Sequence, residues 1–89
     1  MAERRVTVAS AVGLHARPAA LFSQAAAKAG VTVTLGRPGA PAVNAASILG
    51  VLALGIAHGD EVVLTAEGDG ADEALDSLAG LLATDLDQA

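Results

Sequence analysis

His15 stands between a loop containing Gly13 and a helical pattern whose first turn holds Arg17 and Pro18. That spacing puts the imidazole at or beside a helix N-terminus. Amide groups without intrahelical acceptors and the positive end of the helix dipole favour an anion there. The same surroundings disfavour an imidazolium, so the ring stays neutral, keeps a lone pair and can act as a nucleophile. Arg17 adds a planar cationic donor suited to phosphate oxygens. Together these residues suit acceptance of a phosphoryl group. An ordinary surface histidine beside a helix start has the same spacing, and on spacing alone the two readings weigh evenly.

The rest of the chain offers little competing chemistry. His58, beside Asp60 in a Gly-rich turn, reads as a solvated loop residue, and two histidines at this separation are no metal site. No cofactor motif is present, and the Gly-rich stretches lack the spacing and Lys of a P-loop. The carboxylates of the last helix and its entry read as a solvated face. A chain with one good nucleophile and no sign of a substrate cleft suits the role of another enzyme's substrate better than that of an enzyme. Ser47 precedes a short apolar helix at the N-cap position, where its hydroxyl would cap the first turn and where a phosphate would also be favoured.

The elements that must position these residues follow from periodicity. Residues 3–9 read as a strand, with Val6 and Val8 on one face and Arg5 and Thr7 on the other. A helix over 16–29 buries Ala19, Phe22, Ala26 and Ala29, with Gly30 as its stop. Strands follow at 31–35 and 42–45, separated by a turn rich in Gly and Pro. A short helix covers 48–54, a Val-rich strand 61–67, and a last helix starts at 71 with a stripe of Ala71, Ala74, Leu75, Leu78 and Leu82. The order βαββαβα implies an open-faced sandwich, with one sheet face packed and one wet. The short helix is too apolar for one buried stripe, so some of Ile48, Leu49, Val51, Leu52 and Leu54 must face solvent or a partner. Leu21 is off the Phe22 stripe and matches them on the first helix.

Composition sets the class. The 89 residues suit one domain, and with no cysteine its stability rests on packing. Hydrophobic residues make up 53%, mostly small ones, and Phe22 is the only aromatic, so helices can lie close on a sheet. No targeting signal and no membrane-spanning window is visible, which reads as cytoplasmic. The net charge of −5 disfavours nucleic acid. Residues 1–59 carry +4 (five basic, one acidic) and residues 60–89 carry −9. The basic half is therefore expected to be able to meet acidic protein surfaces.

The segment Gly13-Leu14-His15-Ala16-Arg17-Pro18-Ala19-Ala20 closely resembles the active-site signature of the HPr family, the histidine phosphocarriers of the bacterial phosphoenolpyruvate:sugar phosphotransferase system. The resemblance continues through Val43-Asn44, Ser47 to Val51, Leu54-Gly55-Ile56, Gly59 to Val62 and Ala66-Glu67-Gly68, covering essentially the whole chain as one domain, 1–89. It implies an open-faced β-sandwich, a four-stranded antiparallel sheet covered on one face by three helices. It implies that enzyme I, charged by phosphoenolpyruvate, phosphorylates His15 on Nδ1, and that the group then passes to IIA components of sugar permeases. Arg17 would steady the phosphoryl group. The face of the first two helices would dock both partners through Ala16, Ala20, Leu21, Gln24, Ile48, Leu49 and Leu52. Ser47 matches a regulatory serine phosphorylated by a dedicated kinase in many relatives, although Ala46 precedes it where lysine is common.

Two alternatives stay beside the sugar-branch carrier. One is a regulatory module of the same family, controlled by phosphorylation and binding a transcriptional regulator. The other is a carrier of the nitrogen-related branch. The expected state is a monomer, without nucleic acid and without direct membrane insertion.

Overall fold

The computed structural model describes residues 2–9, 13, 14 and 16–84. Strand β1 (Ala2–Thr7) alternates between the partly covered Ala2, Arg4 and Val6 and the exposed Glu3, Arg5 and Thr7, as the pleat of a strand places them on opposite faces. Helix α1 (Ala16–Ala27) follows, then β2 (Val33–Gly36), β3 (Val43–Asn44), α2 (Ile48–Ala53), β4 (Glu61–Ala66) and α3 (Ala71–Leu82). The four strands form one sheet in the order β1-β4-β2-β3, antiparallel at every pairing. The expected four-strand, three-helix open-faced sandwich is therefore the fold.

The register explains which face is covered. Val6 pairs with Val62, Leu35 with Leu64, and Val33 with Ala66 on the side that meets the helices. Phe22 of α1, Val51 of α2 and Leu75, Leu78 and Leu82 of α3 join these residues in one continuous core. The opposite face carries Glu3, Arg5, Thr34 and Thr65, with the Thr34 and Thr65 hydroxyls hydrogen-bonded across the strands. A face built from polar and β-branched residues can remain wet.

Several boundaries differ from those expected, and the ladder explains them. Strand β4 starts at Glu61, opposite Thr7, so Val8 and Ala9 lie past the end of β1. Ala9 instead donates its amide to Leu82 O at 3.0 Å, tying the loop entry to the end of α3. At its other end β4 stops at Ala66, opposite Val33, so residues 31 and 32 precede β2. Helix α1 closes at Ala27, and the amides of Lys28 and Ala29 bond back in a tightened turn before Gly30.

The charge asymmetry is used inside the molecule. Arg4 bonds Asp76 at 2.9 Å and Asp72 at 3.3 Å, joining β1 to α3. The Asp76 bond, and then Asp72, push the Arg4 guanidinium further towards its charged form. Arg5 reaches Glu61 at 3.4 Å and Arg37 reaches Asp60 at 3.1 Å. Arg4, Arg5 and Arg37 thus bind carboxylates of the acidic half of the same chain. The acidic face of α3 is solvated as expected, with the Asp72 and Asp76 side chains 77% and 68% exposed, and it also ties down β1 through Arg4.

Candidate functional site

The segment leading to α1 is held from below. Gly13 is buried with φ +70°, and a Cβ there would lie 2.3 Å from Ile56 O. Only a glycine fits this backbone. Leu14 is fully buried and donates its amide to the same Ile56 carbonyl at 3.0 Å. His15 lies outside the described residues, as do 10–12. In the chain it immediately precedes Ala16, the first residue of α1.

Helix α1 forms because Pro18 suits a first turn and the alanine-rich run that follows has high helix propensity. Pro18, Ala19, Phe22 and Ala26 are buried, as the stripe predicts, while Ala29 is only half-buried beyond the helix end. Ser23 is also buried, and its hydroxyl satisfies itself by donating to Ala20 O at 3.3 Å. The remaining face of α1 holds Arg17, exposed in the first turn, with Ala20 and Leu21 half-buried and Gln24 exposed.

Helix α2 packs beside α1. Ser47 has extended backbone angles and its Oγ accepts the Gly50 amide at 3.2 Å, the capping role its position suggested. Val51 turns into the core, whereas Leu52 and Leu54 are half-buried against it. Ile48 is 40% exposed and Leu49 77% exposed, the two large hydrophobic residues left open to solvent among those described. The excess of apolar residues in this helix is thus resolved at its N-terminal turn, next to Ser47.

The far end of α2 is closed by residues that sequence reasoning passed over. Arg37, from the turn after β2, donates to Gly55 O at 2.9 Å and Leu54 O at 3.3 Å. Asp60 accepts from Arg37 Nη1 at 3.1 Å and from the Ala57 amide at 2.9 Å. The Ala57 bond first, and then the guanidinium, hold the Asp60 carboxyl below the usual carboxylate range. The signal available in the sequence was one Arg inside a turn and one Asp before a strand, and neither points at the other. His58 is exposed in the adjoining turn. Among the described residues no three of His, Cys, Asp and Glu come together as metal ligands.

The described surface near α1 and α2 is a helical face with an apolar edge. A concavity of about 390 Å³ lies elsewhere, lined by Thr32, Thr34, Thr65, Ala66 and Glu67 at the open side of the sheet. The helical face suits contact with a protein better than enclosure of a small molecule.

Comparison with known proteins agrees with this arrangement. The family model described as the PTS HPr component phosphorylation site matches residues 2–84. The chain is 51% identical over 88 residues to phosphocarrier protein HPr of Streptomyces coelicolor, covering 99% of this chain and 95% of that one. It is 44% identical to the HPr-like protein Crh of Bacillus subtilis, covering 89% and 92%. The crystal structure of an HPr from Bacillus anthracis superimposes with a TM-score of 0.86 at 41% identity, covering 91% of this chain and 95% of that one. With the family match running from β1 past the end of α3, the chain belongs to the HPr family, the phosphocarriers of the phosphotransferase system, and carries phosphoryl groups without being itself a catalyst.

Proposed function

We propose that His15 is the phosphorylated residue, that enzyme I charged by phosphoenolpyruvate is the donor, and that IIA components of sugar permeases are the acceptors. The neutral imidazole attacks phosphorus through the Nδ1 lone pair. The bond to the donor breaks and its electron pair stays on the donor. Transfer to the IIA component repeats the exchange with His15 as leaving group.

The observation that carries this reading is the start of α1 at Ala16, one residue after His15, within a family match spanning 2–84. A helix start favours a group bearing close to two negative charges, and Arg17 in the first turn adds a cation to steady it. Ala16, Ala20, Leu21 and Gln24 on α1, with Ile48, Leu49 and Leu52 on α2, form the docking face. A phosphoryl group placed on Ser47 by a serine kinase would put negative charge beside Ile48 and Leu49 and weaken docking. The protein works as a cytoplasmic, monomeric single domain, and no described helix is long and apolar enough to cross a membrane.

Intact mass after incubation with phosphoenolpyruvate and enzyme I tests the proposal, with His15→Ala alongside. One acid-labile phosphoryl group on the parent and none on the variant is the expected result. No gain with an enzyme I active on another carrier rejects it. A second reading, a regulatory module, is favoured by the exposure of Ser47 beside exposed Leu49. Binding of a transcriptional regulator that needs phospho-Ser47 and not His15 would support it. Faster transfer to a nitrogen-type IIA than to sugar-type ones would instead assign the nitrogen branch.

A further inference from the structure

The Arg37 guanidinium joins three segments that are remote in the chain. It extends from the turn after β2, donates to Leu54 O and Gly55 O at the end of α2, and pairs with Asp60 at the entry to β4. Helix α2 has six residues, too few to be stable alone. It is held by the Ser47 cap at one end, by Val51 in the core with Leu52 and Leu54 packed against it, and by this cation at the other end. A guanidinium on terminal carbonyls is also the charge that the helix dipole favours there. Asp60 is held in turn by the Ala57 amide at 2.9 Å, which fixes the direction from which it orients Arg37.

Ile48 and Leu49 lie at the opposite end of the same helix, 40% and 77% exposed. We infer that Arg37 is a positioning residue for phosphotransfer: oriented by Asp60, it fixes the C-terminal end of α2 and so presents Ile48 and Leu49 as a preformed docking edge. The inference rests on the docking role proposed above. A preformed edge spares the ordering cost that docking would otherwise carry.

Arg37→Gln removes the cation while keeping a hydrogen-bonding side chain. With enzyme I as donor, the KM for the full chain as acceptor should rise about five-fold while kcat is retained. Amide hydrogen exchange at residues 51–55 should accelerate. Arg37→Lys keeps the charge near Asp60 but not the fork that reaches two carbonyls, and should fall between the two. A purely structural role would speed exchange and leave KM unmoved, which overturns the inference alone. Unchanged exchange at 51–55 in Arg37→Gln overturns the clamp itself. Absence of phosphorylation in the unsubstituted protein by an active enzyme I rejects the docking reading, and the inference with it.

Discussion

Replacing Gly13 by alanine tests how the loop before His15 is held. Two penalties apply. The backbone has φ +70°, which costs an L-residue about 1–2 kcal/mol. The new Cβ would also sit 2.3 Å from Ile56 O and 2.7 Å from Ala57 Cα, both backbone atoms that cannot swing aside. Overpacking of that kind costs about 1–3 kcal/mol more. Gly30→Ala isolates the second penalty. Gly30 has φ +81°, but a Cβ there meets nothing within 4 Å. The entropy lost from the unfolded chain, worth about 0.4–1 kcal/mol, is the same in both variants and cancels. Gly13→Ala should therefore be less stable than Gly30→Ala by about 1–3 kcal/mol. For a domain of this size each 1 kcal/mol moves the melting temperature by about 4–8 °C. Thermal unfolding followed by circular dichroism reads the difference directly. Equal melting temperatures would falsify the close approach of Gly13 to residues 56 and 57. Phosphotransfer by Gly13→Ala should fall as well, since the strain is relieved by moving Gly13 and Leu14, immediately before His15.

Leu49→Asp should leave stability within about 0.5 kcal/mol, because the side chain is 77% exposed. The same substitution should raise the KM for transfer from enzyme I roughly ten-fold, and an unchanged KM would remove Leu49 from the docking face. Ser47→Ala loses the cap on the Gly50 amide and should cost about 1 kcal/mol in urea unfolding, while Ser47→Asp, which can still cap, should cost less. Asp60 titrates lower in the folded protein than in the unfolded chain. Its contribution to stability is present above the unfolded value of about 3.9 and is lost as pH falls through the lower, folded value. Asp60→Asn should lower stability at neutral pH and flatten the acid limb of a stability–pH curve. An acid limb identical to the parent's would contradict the Ala57 and Arg37 bonds to this carboxylate.

The periodic elements were legible because their causes are local. The stripe Ala19, Phe22 and Ala26, the alternation in Glu61–Ala66 and the Leu75, Leu78, Leu82 series each set a burial pattern within one segment, and all of them face the core. The Gly13 to Ala20 segment also carried the family resemblance, through the types and order of its residues. Ser47 was readable as a cap, since capping needs only a hydroxyl three residues before an amide. Even the surplus of apolar residues in α2 was countable from composition.

Which of those residues would be exposed was another matter. Val51 is buried and Leu49 open because α2 lies at one particular rotation beside α1, and its short apolar run permits several. Strand ends were also beyond the reach of local pattern: Val31 looks like a strand residue but precedes the β2–β4 ladder, and Val8 lies past β1, bonding instead to Asp60 O and the Gly59 amide in the turn before β4. The insertion of β4 between β1 and β2 is decided by how all four strands share one core, and no single segment encodes it. The ion pairs show the same division. Arg4 and Asp76 are 72 positions apart and Arg37 and Asp60 are 23 apart. By itself, then, the sequence determined the element types, the packed faces and the family. Strand order, the exposed edge of α2 and the Arg37–Asp60 clamp were decided only by the tertiary structure. Periodicity acts between neighbours along the chain, whereas these features arise from contacts that exist only once distant segments have met.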